Sequence, residues 1–351
     1  MDIASIIAQY QDRFIAQYGH RLTREQRHAL EAMLACRTAQ CGEILLNCPA
    51  CEELQTRYRS CGHRSCPRCQ HHDTTRWLER QSLKLLPVEY YLVTFTLPYE
   101  LRGLARRRPS LIYDILFHCA VSTLQTFAGN DRKLGARIGM TAVLHTHSRR
   151  LAYHPHVHLV VPGGCLDTRR RQWKTMRGKY LFNERALARV FRARVLVAIK
   201  AAGLGLPEAL PSQWVAHCAR AGRGLPALKY LSRYLYRGVI SEENIVADDG
   251  ERITFRYRES QSGDDRTRTM KGEDFVWLLL QHVLPKGFRR VRDYGFLHGN
   301  ARALLRLVQR VLGVWRKRIP PEPTKRPAFP CCRCGHPLFV LGFRPPGWQS
   351  S

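Results

Sequence analysis

Two cysteine pairs near the N-terminus have the spacing of metal ligands. Each has the form C-x2-C, and fourteen residues separate the two pairs, which are Cys48, Cys51, Cys66 and Cys69. Two such pairs can place four thiolates tetrahedrally around one Zn²⁺, which leaves no open coordination position. We therefore predict that these four residues hold a structural zinc ion. Cys61 and His63 lie between the pairs and are alternative ligands.

A smaller group lies near the C-terminus, at Cys331, Cys332, Cys334 and His336. It is at best half of a metal site, because no second C-x2-C pair follows it. A metal ion there would need ligands from elsewhere in the chain, and a frayed segment without metal is the alternative. Cysteines grouped in this way favour zinc in a reducing compartment over a disulfide scaffold.

A run of alternating histidines, His154-Pro155-His156-Val157-His158, lies in the middle of the chain. On a β-strand, alternate side chains share one face at a spacing of roughly 7 Å, so the imidazoles would lie side by side. Two imidazoles and a ligand from another element could hold Mg²⁺ or Mn²⁺ with positions open for a phosphate. We predict His156 and His158 as ligands, with His154 as a third candidate. Buried structural histidines are the alternative.

Two tyrosines, Tyr230 and Tyr234, are four residues apart in a predicted helix over 226–238. This spacing puts both phenols on one helix face. Cations that flank them would favour the phenolate and hold a DNA backbone: Lys229, Arg233 and Arg237. A tyrosine near a metal-polarised phosphodiester can form a phosphotyrosine bond, which conserves energy for rejoining. Ordinary amphipathic packing is the alternative.

The charge of the chain points to a polyanionic partner. Its 57 Lys and Arg residues against 28 Asp and Glu residues give a formal net charge of +29. Basic segments are scattered along the whole chain, which predicts an extended DNA track. In one of them Arg169, Arg170 and Arg171 precede Trp173, a candidate for stacking on unpaired bases. There is no P-loop motif, so strand separation would depend on host factors or on DNA that is already single-stranded.

The elements around these residues predict an α+β fold. Apolar residues at helical spacing predict helices within residues 1–46, and Thr23 with Gln26 forms a predicted capping box. A further helix is predicted over 110–128. Segments rich in β-branched and aromatic residues predict three strands, at 89–98, 139–147 and 154–164. The polar segments ERITFRYRES and DRTRTMKGEDF predict a hairpin.

Composition divides the chain into three predicted parts. These are a helical and zinc-binding module (1–87), a catalytic domain (88–300) and a basic, proline-rich tail with the partial cysteine cluster (301–351). No apolar run approaches the roughly 18 residues that cross a bilayer, and the N-terminus lacks the pattern of a signal peptide. We expect a cytoplasmic, DNA-associated bacterial protein without a membrane partner.

The motifs, taken in order, resemble those of the IS91-type transposases, the two-tyrosine branch of the HUH single-strand endonucleases. The segments that carry the resemblance follow a zinc knuckle and are VTFTLP, LGARIG-TAVLHTH, HPHVH-VVPGG and KYLSRYLYRGVIS. The resemblance implies a ferredoxin- or RRM-like antiparallel sheet with flanking helices, whose central strand carries the HUH histidines, here His156 and His158. Such enzymes usually have a third metal ligand, for which the candidates are His145, His147, His154 and Asn244.

The same resemblance implies a reaction and its partners. Tyr230 and Tyr234 would act in turn on single-stranded DNA, leaving a 5′-phosphotyrosine and a free 3′-OH, in rolling-circle-type transposition of an insertion sequence. The partners would be transposon ends able to form hairpins, target DNA, and a host helicase or replication factors. Two alternatives from other classes remain open: a non-enzymatic zinc-dependent nucleic-acid-binding protein, and a metal-dependent nuclease without a covalent intermediate.

Overall fold

A computed structural model shows how these elements are arranged. The structure describes residues 2–69, 77, 79–131, 134, 136–176, 181–223, 239–259, 262–314 and 329–347. The predicted helix over 226–238, with its two tyrosines and three cations, lies outside the described residues.

Seven α-helices and thirteen strands are described. The helices are α1 (Ile3–Tyr18), α2 (Arg24–Ala35), α3 (Arg102–Arg107), α4 (Pro109–Asn130), α5 (Glu184–Ala201), α6 (Gly272–Leu280) and α7 (Arg302–Val311). The strands are β1 (Glu43–Asn47), β2 (Leu54–Tyr58), β3 (Glu89–Thr96), β4 (Met140–His147), β5 (Tyr153–Pro162), β6 (Gly164–Asp167), β7 (Gln172–Thr175), β8 (Ala216–Arg223), β9 (Ile245–Asp248), β10 (Arg252–Arg258), β11 (Asp265–Lys271), β12 (Val291–Tyr294) and β13 (Phe339–Arg344). The mixed α+β composition, the three predicted strands and the hairpin β10–β11 are confirmed.

A five-stranded antiparallel sheet, in the order β12-β4-β5-β3-β8, forms the centre of the molecule. Along the chain its principal elements follow as β3, α4, β4, β5, α5 and β8, which is a βαββαβ succession. Both helices bury their apolar faces on one side of this sheet, where Phe95 of β3 meets Phe191 of α5 at a ring separation of 4.6 Å. The other side carries the predicted histidine ligands.

Helix α4 is the core helix of this layer. Pro109 at its first turn has the fixed φ that suits a helix start. Among the described residues it is the one helix long and apolar enough to span a membrane by length and composition. More than half of its most apolar stretch is buried in the protein, because it packs on the sheet and on α5.

The N-terminal helices pack against a second, smaller sheet. Thr23 and Gln26 form the predicted capping box at the start of α2. Helix α1 lies on α6, which follows the antiparallel sheet β11-β10-β9. Both N-terminal helices share one hydrophobic cluster with this sheet, so the apolar core extends across the expected boundary at residue 87.

The C-terminal segment differs from the expected tail. Strand β13 pairs antiparallel with β1 and extends the N-terminal hairpin to a three-stranded sheet, β13-β1-β2. Leu338 and Cys331 are buried there against Leu46 and Cys48. Pairing with an open strand edge satisfies backbone groups that a solvated tail would leave to water. The described part of the C-terminus is therefore packed on the N-terminal hairpin and its cysteine loop.

Candidate metal centres

Three imidazoles converge on the open face of the central sheet. His145 on β4 is directly opposite His156 on β5, and His158 follows two residues further along the same strand. The candidate ligand nitrogens of the three residues all lie within 4.8 Å of one another. Ring centroids are 4.5 Å apart for His145 and His158 and 4.8 Å apart for His156 and His158. One metal ion can therefore be shared by all three side chains.

The local sequence explains why these side chains share a face. In β5, Val157 and Leu159 point to the opposite side and are fully buried with the helices. The alternation along the strand then turns His156 and His158 to the open face. Further along that face, Val160 is covered by the cluster around Phe296. The histidines thus lie where this covering layer ends.

Hydrogen bonds to the ring nitrogens leave the same nitrogen available on both β5 histidines. Nδ1 of His156 donates to the backbone carbonyl of His154 at 2.7 Å. Nδ1 of His158 lies 2.8 Å from the hydroxyl oxygen of Thr94 on β3, which can accept its proton. Metal-bound histidines typically use their second nitrogen in this way, because it fixes the tautomer and the ring orientation. Nε2 of each ring is then available to bind a metal ion.

The surroundings also keep the imidazoles neutral. Burial lowers the pKa of His156 to about 4, and burial followed by the neighbouring imidazoles lowers the pKa of His145 and His158 well below the usual value. Only the neutral ring has a lone pair for a metal. The donor set therefore fits a divalent cation.

Other candidates for the third ligand lie outside this cluster. Nδ1 of His154 is 2.5 Å from the guanidinium of Arg102, and His154 is not among the residues whose ligand atoms converge. His147 packs against His282 at 5.3 Å, and Asn244 lies in a separate turn before β9. The sequence did not predict that His282 lies near these histidines, because it belongs to no local motif. Its ring is buried between Thr146 and Leu151.

The cysteines form two clusters rather than one. The sequence predicted one site for Cys48, Cys51, Cys66 and Cys69, but the two pairs lie in different clusters. The first cluster is Cys36, Cys61, Cys66 and Cys69, and the second is Cys48, Cys51, Cys331 and Cys334. The reason is that β1 and β2 carry the first C-x2-C pair away from the end of α2, where the second pair docks. The alternative ligand Cys61 belongs to a cluster, whereas His63 does not.

The first cluster is assembled around the end of α2. Cys36 follows that helix, and its Sγ lies 3.6 Å from Sγ of Cys69, which is also 3.6 Å from Sγ of Cys61. Burial, followed by the neighbouring thiols Cys69 and Cys61, raises the pKa of Cys66. Closely spaced thiolates repel one another, so four of them are compatible with burial only around a cation.

His63 has a structural position beside this cluster. Its Nδ1 accepts the backbone N–H of Ser65 at 3.2 Å, and its ring packs edge-on against His28 at 5.2 Å. Burial, then the neighbouring His28, lowers the pKa of His63. These contacts account for the residue without a metal.

The predicted DNA contacts are described only in part. Arg169, Arg170 and Arg171 are exposed at the tip of the β6–β7 hairpin, where Asp167 accepts the backbone N–H groups of the first two. Trp173 is half buried and packs edge-on against Phe296 at 5.9 Å. Its role in base stacking stays a prediction, as do the roles of the residues outside the described range.

Comparison with known proteins places this architecture in one class. A family model described as "Transposase zinc-binding domain" matches residues 6–97, and one described as "Putative transposase" matches residues 139–303. The "Putative transposase y4qJ" of Sinorhizobium fredii (strain NBRC 101917 / NGR234) is 33% identical over 319 residues, which cover 84% of this chain and 80% of that protein. The "Transposase for insertion sequence element IS801" of Pseudomonas savastanoi pv. phaseolicola is 29% identical over 289 residues, which cover 76% and 68%. No solved structure matches the chain.

A zinc-binding domain that precedes a transposase domain defines a DNA-processing enzyme of transposition. The chain belongs to the IS91 family of transposases, as the order of its motifs indicated. The zinc-binding domain and the cysteine clusters together support structural zinc.

Proposed function

We propose that this transposase nicks and rejoins single-stranded DNA through a 5′-phosphotyrosine intermediate, in rolling-circle-type transposition of an insertion sequence. The observation that carries the proposal is the cluster of His145, His156 and His158 on the open face of the central sheet. We assign His145 as the third ligand beside the two histidines of the HUH motif. When bound, Mg²⁺ or Mn²⁺ would polarise the scissile phosphate.

The strand order supports an HUH fold for the catalytic domain. The βαββαβ succession and the order β4-β5-β3-β8 are those of a ferredoxin-like sheet, and β5 lies at its centre. A central strand is held by ladders on both sides, so its side chains have little freedom. Rigid placement of metal ligands is what catalysis at a phosphate requires.

In the proposed reaction, Tyr230 or Tyr234 acts as the nucleophile. The phenol loses its proton, its oxygen bonds to phosphorus, and the bond from phosphorus to the 3′ oxygen breaks, with a proton taken up by that oxygen. The products are a 5′-phosphotyrosine and a free 3′-OH. Attack by a 3′-OH on the phosphotyrosine reverses these steps and joins the strands, so no external energy source is needed.

The rest of the chain would hold the DNA. We assign residues 88–300 to catalysis. We assign residues 1–87 to the recognition of transposon ends, with Cys36, Cys61, Cys66 and Cys69 as zinc ligands. Lys229, Arg233, Arg237 and the exposed hairpin at Arg169–Arg171 would contact phosphates, and a host helicase would supply single strands. This activity places the protein on DNA in the cytoplasm.

The test uses the element's own flanking sequences as 3′-labelled and 5′-labelled single-stranded oligonucleotides with Mg²⁺ or Mn²⁺. On a denaturing gel, we expect the 3′ label to migrate with the protein and the 5′-labelled product to be extended by a polymerase. Tyr230→Phe with Tyr234→Phe should abolish the adduct and leave DNA affinity unchanged. Tyr236→Phe is the matched control, because in the helix predicted from the sequence its spacing puts it on another face.

Two other outcomes would reject the proposal in favour of the alternatives. Cleavage with no protein-linked label would indicate a nuclease that uses water. Salt-sensitive binding with no cleavage in any divalent ion, unchanged by His156→Ala, would indicate a binding protein.

A further inference from the structure

The second cysteine cluster joins the two ends of the chain. Sγ of Cys48 lies 3.4 Å from Sγ of Cys334, and Sγ of Cys51 lies 3.7 Å from Sγ of Cys331. Four thiolates placed tetrahedrally around Zn²⁺ at about 2.3 Å are about 3.8 Å from one another. The side chains therefore have the separations that a shared zinc ion requires, although more than 270 residues separate the two pairs in the sequence.

The two pairs are also built in the same way. The carbonyl of Cys48 accepts the N–H of Glu52, and the N–H of Cys48 donates to the carbonyl of Glu53. At the C-terminus, the carbonyl of Cys331 accepts the N–H of Gly335, and the N–H of Cys331 donates to the carbonyl of His336. Each loop thus repeats one hydrogen-bond pattern at the same spacing from its first cysteine.

Backbone conformation extends this correspondence. Glu52 has a φ of 56° and Gly335 a φ of 73°, and each is the fourth residue after its first cysteine. The left-handed conformation is uncommon for a residue with a side chain, so its occurrence at Glu52 is a constraint imposed by the loop. Two loops with matching turns, facing each other through four thiols, are typical of a zinc ribbon.

The sheet that carries these loops has too little apolar core to hold itself together. Its buried residues are few, namely Leu46, Cys48, Cys331 and Leu338. Several of its large apolar side chains instead remain exposed, such as Phe339, Leu341 and Phe343. Small modules of this kind usually depend on a bound metal for stability.

We propose that Cys48, Cys51, Cys331 and Cys334 bind a second structural Zn²⁺, which fastens the C-terminal segment to the N-terminal module. The zinc-binding region is then built from both ends of the chain. Its C-terminal half lies outside residues 6–97, which the zinc-binding family model matches. The proposal does not depend on the chemistry at the histidines.

The test is retention of the C-terminal segment after backbone cleavage. A protease site is inserted between residues 319 and 326 of the 351-residue chain, and the cleaved, zinc-loaded protein is passed over a size-exclusion column. We expect the C-terminal fragment to co-elute with the rest and to separate after a zinc chelator is added. Separation in the presence of zinc, or retention after chelation has removed all the zinc, would overturn the proposal.

Zinc content provides a second measurement. Cys48→Ser with Cys51→Ser should lower the zinc content by one ion per chain, and so should Cys331→Ser with Cys334→Ser. The quadruple variant should also lose only one ion, because both pairs share it. Cys332→Ser is the matched control, since Cys332 is exposed and outside the cluster, and it should keep wild-type zinc. A loss of two ions in the quadruple variant, or of none in either double variant, would contradict a shared site.

Discussion

At the scale of single residues, the structure distinguishes the proposed metal ligand His145 from the nearby His154. His145 points its ring at the position shared with His156 and His158, whereas His154 is held by Arg102. We expect His145→Ala to weaken Mn²⁺ binding by more than about 100-fold, because loss of a ligand exceeds the cost of losing an outer partner. Titration calorimetry on zinc-loaded protein measures this.

His154→Ala is the matched control for that change. It should leave Mn²⁺ affinity close to wild type, since His154 supports His156 through its backbone carbonyl, which the substitution retains. Equal losses in the two variants would show that His145 is not distinguished as a ligand.

We expect Thr94 to position the proposed ligand His158 without touching the metal itself. Thr94→Val keeps the shape of the side chain but removes the hydroxyl that can accept the proton on Nδ1 of His158. We expect Mn²⁺ affinity to fall about 10- to 100-fold, as is typical for such partners, and Thr94→Ser to restore it. If the valine variant binds as the wild type does, the hydroxyl does not orient this ligand.

At the scale of elements, the contact between α1 and α6 depends on a glycine. A Cβ at Gly272 would lie 2.0 Å from the ring of Tyr10, and that ring is buried with its hydroxyl hydrogen-bonded to Asp248. Gly272→Ala should therefore force the helices apart and destabilise the protein by roughly 1–3 kcal/mol. The midpoint of urea unfolding measures the change.

Gly129→Ala is the control, because a Cβ there meets nothing within 4 Å and the residue lies within α4. We expect no loss, or a gain of up to about 1 kcal/mol from the better helix propensity of alanine. A destabilisation similar to that of Gly272→Ala would mean that steric overlap with Tyr10 is not the cause.

At the scale of the whole molecule, we expect the charge of +29 to govern DNA binding. The affinity for single-stranded DNA should fall steeply with salt, with a logarithmic slope of about −0.7 for each phosphate contacted. Replacing Arg169, Arg170 and Arg171 by Gln should reduce this slope by about two, if each contacts one phosphate. Fluorescence anisotropy at several salt concentrations measures it.

The control removes the same charge from the small sheet, with Arg256→Gln, Arg266→Gln and Lys271→Gln. All three residues are exposed there, and Arg266 already pairs with Glu259 at 2.6 Å. An equal change in slope from both triple variants would show that net charge, rather than the hairpin, determines the salt dependence.

Features that depend on local spacing could be predicted from the amino-acid sequence. Alternation in β5 predicted the strand and the shared face of His156 and His158, and the apolar period predicted α4. The order of motifs predicted the transposase family, which the comparisons confirm. Such patterns are readable because side-chain direction repeats every two residues in a strand and about every 3.6 in a helix.

Contacts between residues far apart in the chain could not be predicted in this way, because they depend on how the strands pair. His145 joins the other histidines through the pairing of β4 with β5, and Cys331 reaches Cys51 through the pairing of β13 with β1. The spacing within a C-x2-C pair is the same whichever other cysteines complete its metal site. The spacing therefore cannot show whether the pair at Cys51 shares a site with Cys69 or with Cys334. That choice follows from strand register and burial, which connect positions far apart in the chain.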